Sequence, residues 1–359
     1  MQIAFLMDPL AGIDPRQDTT AHLMYECNQR GHRVFFLEPH DIYIRGNTVV
    51  ARMRNITVGR GQTLKAYWRS LIRCLKRDEL IFESITDLDV LFLRYNPPLH
   101  YALMEILEPV QRDVFVVNST RGQIMASSKL FILRFPALIP ETHVSRDPSR
   151  LRKIIDDFGG TMLIKPLARY NGEGVIKVNA QDPENLNSLI NYYVRATADY
   201  PERQPIMVQE YMNAVQTDGD VRILLLNGDI LGAMRRTPQN GHFRTNIQAG
   251  AKPRRHRVTD AEAAICSALK ETLVRNGLYF VAIDIIAGRL VALNCISPGG
   301  LPAINRLERT RLEPQVVDFL EAHPCHESAV SCAPEAVAGP DLVYAGKANP
   351  TAVPVHQAL

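Results

Sequence analysis

The chain has 359 residues, enough for two or three domain-sized units with cores of their own. Hydrophobic residues make up 46% and charged residues 22%, and a net charge of +3 is too balanced to predict nucleic acid or an anionic membrane as a partner. No apolar run approaches the roughly 18 to 20 residues that cross a bilayer, and the N-terminus lacks a signal-peptide pattern, so we expect a cytoplasmic protein.

Residues 1–122 alternate apolar strands with helices, a pattern that predicts an open α/β sheet. Asp18 is predicted to cap the first helix and Gly31 to end it. The strands are predicted at residues 3–7 and in "HRVFFLEP", "LDVLFLRYNPP" and "DVFVVNS", with a hairpin arm in "NTVVARMRNITV". Ligands of such sheets usually meet the carboxyl ends of the strands.

A second unit is predicted at residues 123–320. Lys129 lies in an expected helical stretch, "QIMASSKLFILRF", and Asp147-Pro148 opens another helix that closes at Gly159. Asn227-Gly228 predicts a tight hairpin, and Thr259 with Glu262 predicts a capping box. Residues 321–359 are rich in Ala, Pro and Gly and predict a loosely ordered tail.

Two polar residues lie inside apolar strands near the end of this unit. "YFVAIDII" and "RLVALN" flank residues 287–289 and predict a hairpin that carries Asp284 and Asn294. A three-residue loop pairs Asp284 with Ala292 and places Asn294 on the same face, whereas a two-residue loop separates the two polar residues. Two hard oxygen ligands on one face suit Mg²⁺; a hydrogen-bonded pair that sets the strand register is the alternative.

Lys165 ends an apolar strand and precedes a loop that contains Gly172 and Gly174. A lysine beside a glycine loop suits phosphate binding, because glycines let backbone N–H groups approach oxygens closely. The stretch matches neither the Walker pattern nor the dinucleotide fingerprint. A surface lysine is the alternative.

Further along, "VQEYM" (208–212) leads from a strand into a link whose backbone groups can face an adenine edge. The polar segments that follow carry several guanidinium groups, which suit carboxylates and phosphates. A solvated basic loop, or one that contacts RNA, is the alternative, but no interleaved aromatic platform accompanies it. The residues singled out in these polar segments are the four arginines and one asparagine Arg222, Arg235, Arg236, Arg244 and Asn246.

Several motifs in one collinear order resemble bacterial glutathione synthetases, members of the ATP-grasp superfamily. They are "MDP" (7–9), "RYNPP" (94–98), "SKLF" (128–131), "IPETHVSR" (139–146), "IKPL" (164–167), "DGDVR" (218–222), "TPQNGHFRTNIQAG" (237–250), "FVAIDII" (280–286) and "ISP" (296–298). The resemblance implies an α/β ATP-grasp fold: an N-terminal α/β domain, a lid at about residues 129–207 and a catalytic lobe at about 208–320. It also implies ATP and Mg²⁺ as cofactors, small-molecule substrates and a possible homo-oligomer.

The resemblance assigns roles to individual residues. Those implied to bind nucleotide are Lys129, Lys165, Gly172, Gly174, Gln209, Glu210, Tyr211, Met212 and Asp220. Those implied to act in catalysis are Arg222, Arg236, Arg244 and Asn246. Those implied to bind substrate are Arg94, Asn96, Arg222, Arg244, Gly250, Ser297, Gly299 and Gly300. Asp284 and Asn294 are implied to bind magnesium. In this family ATP phosphorylates a carboxylate and an amine attacks the acyl phosphate.

The sequence departs from the family pattern at three places, each of which lacks an acid. Ala292 replaces a glutamate that bridges two magnesium ions, Ala168-Arg169 replaces "DG" in the glycine loop, and Asn96 replaces the aspartate of "R-x-D-P-P". With Asp284 and Asn294 alone we expect one ion at most. Three alternatives follow: an active ligase with altered metal use or another substrate, a nucleotide-binding protein that no longer catalyses, and a non-catalytic subunit of an active partner.

Overall fold

The computed structural model describes residues 1–76, 80–167, 169–170, 172–196, 202–239, 244–247 and 250–323. Ala168 and, from residue 324 onward, the predicted tail lie outside the described residues. Within them the chain forms three β-sheets with helices packed against them. No helix among these residues is long and apolar enough to cross a membrane.

The first sheet has seven strands and belongs to the N-terminal part of the chain. Its strands are β1 Gln2–Leu6, β2 Arg33–Leu37, β3 Ile42–Arg45, β4 Thr48–Asn55, β5 Leu80–Ser84, β6 Val90–Leu93 and β7 Phe115–Val117. Strands β2, β1, β6 and β7 are parallel neighbours, and β4 adds antiparallel pairings to β2, β3 and β5. Its helices are α1 Thr19–Arg30, α2 Leu64–Lys76, α3 Tyr101–Leu107 and α4 Thr120–Ala126. The predicted open α/β sheet is confirmed.

The caps predicted for α1 are confirmed. Asp18 accepts a hydrogen bond from the N–H of Ala21 at 2.7 Å, and Gly31 ends the helix with a φ of 87°. The stretch that contains Lys129 is different: α4 ends at Ala126, and a separate 3₁₀ helix, Lys129–Arg134, follows. Ser128 caps this 3₁₀ helix by accepting from the N–H of Leu130, so the expected continuous helix is wrong. Serine side chains compete with helical backbone bonds in this way.

The second sheet has four antiparallel strands. They are β8 Thr142–Ser145, β9 Met162–Pro166, β10 Ile176–Val178 and β11 Ile206–Glu210, in the order β10-β9-β11-β8. Two helices cover one face, α5 Pro148–Phe158 and α6 Pro183–Val194. Their apolar residues form a core separate from the rest of the molecule, built around Leu151, Ile164, Ile190 and Val208.

The third sheet has five antiparallel strands in the order β14-β13-β12-β15-β16. Its elements are α7 Ala214–Thr217, β12 Asp220–Leu226, β13 Asp229–Thr237, β14 Lys252–Arg255, α8 Asp260–Arg275, β15 Phe280–Ile286, β16 Arg289–Asn294, α9 Leu301–Glu308 and α10 Glu313–Glu321. The Asn227-Gly228 hairpin and the Thr259–Glu262 capping box are confirmed. This sheet shares its core with the first sheet, so the two pack together.

The hairpin that carries Asp284 has a two-residue turn, and the predicted three-residue loop is wrong. Ala287 and Gly288 both have positive φ, at 45° and 72°, as a tight turn between twisted strands requires. A bulge at Val291 then shifts the register by one residue. Asp284 therefore pairs with Ala292 as expected, and Asn294 remains on its face.

Asn118 joins the first sheet to this hairpin. Its amide nitrogen donates to the carbonyl oxygens of Phe280 at 2.7 Å and Cys295 at 2.8 Å, and its carbonyl accepts from the N–H of Phe280 at 2.7 Å. The side chain is only 3% exposed. These three bonds fix the base of β15 and the segment after β16 to the end of β7.

Replacing Asn118 with alanine is expected to lower the free energy of unfolding by about 2–4 kcal/mol, because buried backbone groups lose their partner. Urea denaturation followed by two probes measures the loss. Asn191→Ala is the matched control, since its amide is exposed and bonds only within α6. Equal stabilities of the two variants would show that the three hydrogen bonds of Asn118 do not hold the first sheet to the hairpin.

Candidate functional site

A cleft of about 580 Å³ lies where the second and third sheets face each other beside the carboxyl ends of β1 and β6. It brings together most of the residues that the sequence singled out. Those that line it are Arg94, Asn96, Lys129, Lys165, Gly172, Gln209, Glu210, Tyr211, Met212, Asp220, Arg222, Arg236, Arg244, Asn246, Asp284, Asn294, Ser297, Gly299 and Gly300. Gly174 and Gly250 are not among its lining residues.

Lys129 and Lys165 approach the cleft from different elements. Lys129 starts the 3₁₀ helix, and its ammonium donates to the carbonyl oxygens of Pro166, at 2.7 Å, and Arg169. Lys165 lies on β9, and its ammonium donates to the side-chain oxygen of Gln209 on β11. The pKa of each lysine is lowered to about 8, by burial for Lys129 and by burial together with the neighbouring charge of Lys129 for Lys165. Neither ammonium is bonded to a carboxylate in these contacts. A negatively charged ligand would therefore stabilise the charged form of both lysines.

The glycine loop after β9 reaches the cleft at Gly172. Gly172 and Gly174 have φ values of 72° and 69°, in the left-handed region that favours glycine. A side chain at Gly172 would lie 3.5 Å from the amide oxygen of Asn246, so the two loops approach each other over the cleft. A side chain at Gly174 would press against Pro166, at 3.0 Å.

The link from Gln209 to Met212 forms one wall of the cleft. Gln209 is 1% exposed and donates through its amide nitrogen to the hydroxyl of Thr142 at 2.8 Å, which fixes its oxygen toward Lys165. The N–H groups of Glu210 and Tyr211 donate to the carbonyl oxygens of residues 141 and 161. Those two N–H groups are therefore used within the protein, and a bound base edge would meet other groups of the link.

Two arginines and two aspartates form a buried ion cluster on the third sheet. Arg222 grips Asp284 with two bonds, at 2.8 and 2.9 Å, because the two residues are paired on β12 and β15. Arg236 grips Asp220 with two bonds and also lies 3.0 Å from Asp284. Gly219 permits this approach, since a side chain there would lie 2.0 Å from the carbonyl oxygen of Arg236.

The cluster controls the charge of Asp284. Burial alone would raise the pKa of this carboxyl, but Arg222 and Arg236 hold the pKa well below its usual range, so Asp284 is ionised. Asp220 is also buried, and this burial together with the nearby carboxylate of Asp284 raises its pKa. The two carboxylates thus neutralise the two guanidinium groups.

The residues at Asp284 do not fit a bound magnesium ion. One oxygen of Asp284 accepts from Arg222 and lies 3.0 Å from the guanidinium of Arg236. The other accepts from Arg222 and from the amide of Asn294 at 3.3 Å. A carboxylate has about four acceptor positions; here three accept hydrogen bonds and Arg236 faces the carboxylate as an ion pair. Ala292 supplies no ligand opposite Asp284. Among the described residues no group of three or more His, Cys, Asp or Glu is suited to a metal ion.

Residues 244–247, which follow β13, lie beside the ion cluster. Thr245 donates its hydroxyl proton to Asp220 at 2.6 Å, and Arg244 and Asn246 on either side line the cleft. Gly250 is exposed and donates to the carbonyl oxygen of Ile247. Arg244 and Asn246 thus line the cleft and Gly250 does not, and the covering loop stays a prediction.

Arg94 and the segment after β16 form the end of the cleft beside the first sheet. Arg94 is 3% exposed and donates to the hydroxyl of Thr20 and the carbonyl oxygen of Pro298, both at 3.0 Å. Burial lowers the pKa of Arg94 to about 10. Ser297 donates to the carbonyl oxygen of Arg94 at 3.0 Å, and the N–H of Asn96 donates to Asp8 at 2.7 Å.

Several lining residues were not singled out from the sequence for the site. Asp18 was predicted only as a helix cap, yet with Gln17 and Thr19 it lines the cleft at the start of α1, and Thr245 and Arg306 line it elsewhere. The signal was available for the first group: a polar run directly after a loop at the carboxyl end of β1 lies at the edge where such sheets bind ligands.

Comparison with known proteins shows the family. Residues 1–122 match the model described as "Prokaryotic glutathione synthetase, N-terminal domain", and residues 128–309 match "Prokaryotic glutathione synthetase, ATP-grasp domain". A glutathione synthetase of Thermosynechococcus vestitus is 34% identical over 326 residues, which cover 89% of this chain and 99% of the relative. One of Synechococcus elongatus is 33% identical over 328 residues, 90% and 98% of the two chains.

Solved structures show the same fold at low identity. The crystal structure of D-cycloserine synthetase DcsG has a TM-score of 0.59 at 12% identity, over 89% of this chain and all of the other. The ATP-grasp ligase PsnB complexed with minimal precursor has a TM-score of 0.58 at 17% identity, over 89% and 98%. The predicted ATP-grasp fold is confirmed. The family model and the curated relatives place the chain among the ATP-dependent ligases that form C–N bonds. The chain belongs to the prokaryotic glutathione synthetase family, whose members in general use ATP and Mg²⁺.

Proposed function

We propose that this protein joins a peptide carboxylate to a small amino acid through an acyl phosphate. The terminal phosphoryl group of ATP passes to a carboxylate oxygen and ADP leaves. The amine nitrogen then attacks the carbonyl carbon, phosphate leaves, and the nitrogen loses a proton. The relatives' name, glutathione synthetase, supports a γ-glutamyl-type peptide as the donor and a small amino acid as the acceptor.

The observation that carries this proposal is the cation-rich cleft shared by the second and third sheets. Among the described residues that line it, eight are Lys or Arg and four are Asp or Glu, which leaves a net formal charge of +4. Such a cleft is suited to a polyphosphate. Cations that are already fixed in place stabilise its negative charge, and the protein does not have to rearrange. Lys129 and Lys165 would hold the phosphates, and the link from Gln209 to Met212 would face the base.

The remaining roles follow from position in the cleft. Arg222, Arg236 and Arg244 would stabilise the charge of the transferring phosphoryl group, with Asn246 above them. Arg94, Asn96 and Ser297 lie at the end of the cleft beside the first sheet, where the peptide and the amino acid would bind next to Gly299 and Gly300. Positioning and charge stabilisation of this kind need little covalent participation by the protein.

We also propose the domain division at residues 122 and 123, with a lid to about residue 207. The sheet bounds support it, although β11 extends across the border between the lid and the catalytic lobe. A cytoplasmic location and a homo-oligomer stay predictions.

Phosphate release and product mass test the proposed reaction. The protein is offered ATP and Mg²⁺ with γ-glutamylcysteine and glycine, and then with mixtures of short peptides and amino acids. Ligation releases one phosphate for each product molecule. The mass of the product equals that of the donor plus the acceptor less one water. Phosphate release that needs no acceptor, or no product with any mixture, would contradict it.

A catalytically silent ATP-binding protein is the second candidate. Two observations favour it: Ala292 stands opposite Asp284, and that carboxylate is occupied by three hydrogen bonds and an ion pair. Both leave fewer metal ligands in the site. Nucleotide binding without turnover on any acceptor would support this candidate, either as a regulator or as the subunit of an active partner.

Nucleotide binding is expected to weaken as the pH rises through about 8. In the free protein Lys129 and Lys165 have pKa values of about 8, and bound phosphates raise them. Affinity is therefore greatest below the pKa of the free protein and falls above it, where binding takes up protons. Calorimetry in buffers of different ionisation enthalpy counts these protons.

The control for this pH dependence is Lys165→Arg, whose guanidinium does not titrate in this range. The variant should take up fewer protons and lose less affinity between about pH 7 and pH 9. An affinity that stays constant over this range in the unsubstituted protein would show that the two lysines do not contact the phosphates.

A further inference from the structure

Asp284 is the residue whose surroundings disagree most with a metal site. The side chain is 7% exposed and is held by Arg222, Arg236 and Asn294. Its oxygens accept three hydrogen bonds, and Arg236 adds an ion-pair contact at 3.0 Å. Mg²⁺ demands near-ideal octahedral geometry at about 2.0–2.1 Å. It would have to displace a guanidinium from one oxygen, and a guanidinium or the amide of Asn294 from the other.

The amide of Asn294 is bonded to Asp284 itself. Its nitrogen donates to Asp284 at 3.3 Å, so the amide and the carboxylate bond to each other instead of converging on a third atom through their oxygens. The residue paired with Asp284 is Ala292, and β16 contains no acidic residue. Asp284 and Asn294 therefore belong to one network of polar contacts with Arg222 and Arg236.

The arginines gain a fixed geometry from this set. Two parallel bonds from one guanidinium to one carboxylate restrict the plane of the guanidinium, as single bonds do not. Arg222 is held in this way by Asp284, and Arg236 by Asp220 and Asp284, while both guanidinium groups line the cleft. Although paired with carboxylates, the two guanidinium groups are thus held in fixed positions on the lining of the cleft.

We propose that Asp284 is a positioning residue that holds Arg222 and Arg236 toward the nucleotide phosphates, and that this cleft binds a nucleotide without a protein-bound divalent ion. The inference rests on the proposed function, that the cleft binds ATP. A cleft with a net formal charge of +4 among its described lining residues attracts the free nucleotide more strongly than its magnesium complex, which carries less negative charge.

Calorimetry with ADP at constant ionic strength, in EDTA and in Mg²⁺, tests the inference. We expect the protein to bind ADP in EDTA at least as tightly as in Mg²⁺, with a margin of about threefold for measurement. Binding that is about tenfold tighter or more in Mg²⁺ would overturn the inference and leave the proposed function intact. Absence of ADP and ATP binding in both buffers would instead overturn the proposed function.

Ala292→Glu tests the same point by adding a carboxylate beside Asp284 on the cleft face. Repulsion of the phosphates should lower ADP affinity in EDTA by about tenfold or more, and Mg²⁺ should restore it, because two carboxylates can share the ion. Ala292→Gln is the matched control: it has the same size without the charge, and the ratio of its affinities in the two buffers should match that of the unsubstituted protein.

Direct metal binding gives a readout independent of nucleotide. Electron paramagnetic resonance of Mn²⁺ should show no bound ion on the nucleotide-free protein and about one on Ala292→Glu. Stoichiometric Mn²⁺ binding by the unsubstituted protein that is lost in Asp284→Asn would make Asp284 a metal ligand and refute its positioning role. Should Ala292→Glu fail to fold, the measurements on the unsubstituted protein still decide the question.

Discussion

Replacing Arg236 with alanine is expected to lower the free energy of unfolding by about 3–5 kcal/mol. The guanidinium is 3% exposed and binds both carboxylates of the ion cluster, Asp220 and Asp284. Asp284 keeps Arg222 in the variant, but Asp220 keeps only the hydroxyl of Thr245. A buried carboxylate without a counter-charge is costly, and this cost sets the size of the effect.

The pH dependence of this loss gives a second signature. Asp220 is buried, so its pKa in the folded variant should rise well above the unfolded value. A carboxyl with a raised folded pKa is stabilised by protonation, so the stability difference should shrink as the pH falls through that raised pKa. Urea denaturation at neutral and at mildly acidic pH measures both effects.

Arg255 supplies the control for Arg236. It lies on the neighbouring strand β14, and its guanidinium bonds to Glu308 at 2.9 Å, but its side chain is 74% exposed. Arg255→Ala should cost less than about 1 kcal/mol, because water screens and replaces an exposed ion pair. Similar losses in the two variants would mean that the cluster around Arg236 is not the buried network described above.

Replacing Lys165 with alanine is expected to weaken ATP binding by at least about tenfold. A hydrogen bond to a charged partner contributes about 1.5–3 kcal/mol, and the buried phosphates would lose one such bond together with its charge. The lysine is held toward the cleft by Gln209, which is in turn fixed by Thr142, so its position is set before a nucleotide arrives. Little ordering of the side chain is then needed on binding.

Calorimetry with ATP and ADP measures the loss. Lys153→Ala is the matched control, because this lysine lies on α5 beside the same sheet, is 77% exposed and pairs with Asp157 away from the cleft. Its affinity should equal that of the unsubstituted protein. Unchanged ATP affinity in Lys165→Ala would remove Lys165 as a phosphate-binding residue, whatever the fate of the other assignments.

Much of the fold follows from local sequence chemistry. The cap of Asp18, the left-handed Gly31, the Asn227-Gly228 turn and the Thr259–Glu262 capping box are each specified within a few residues, and each was predicted correctly. Collinear motifs then identified the family, and most of the residues that they singled out line one cleft.

Two local features were predicted wrongly because the sequence pattern fits more than one backbone arrangement. The turn at Ala287-Gly288 and the bulge at Val291 together give the same pairing of Asp284 with Ala292 as a three-residue loop, so pairing alone does not distinguish the two hairpins. Ser128 divides a stretch that has helical periodicity, because its hydroxyl caps the next turn and breaks the backbone ladder.

The role of Asp284 depends on sheet pairing. The sequence predicts a polar residue in a buried strand and two suitable partners, a metal ion or another polar side chain. Which one neutralises it depends on β12 lying beside β15, since that pairing places Arg222 directly opposite Asp284 across 62 residues of chain. Local propensity carries no information about such a contact, because it forms only when distant strands pack and exclude water from the charges between them.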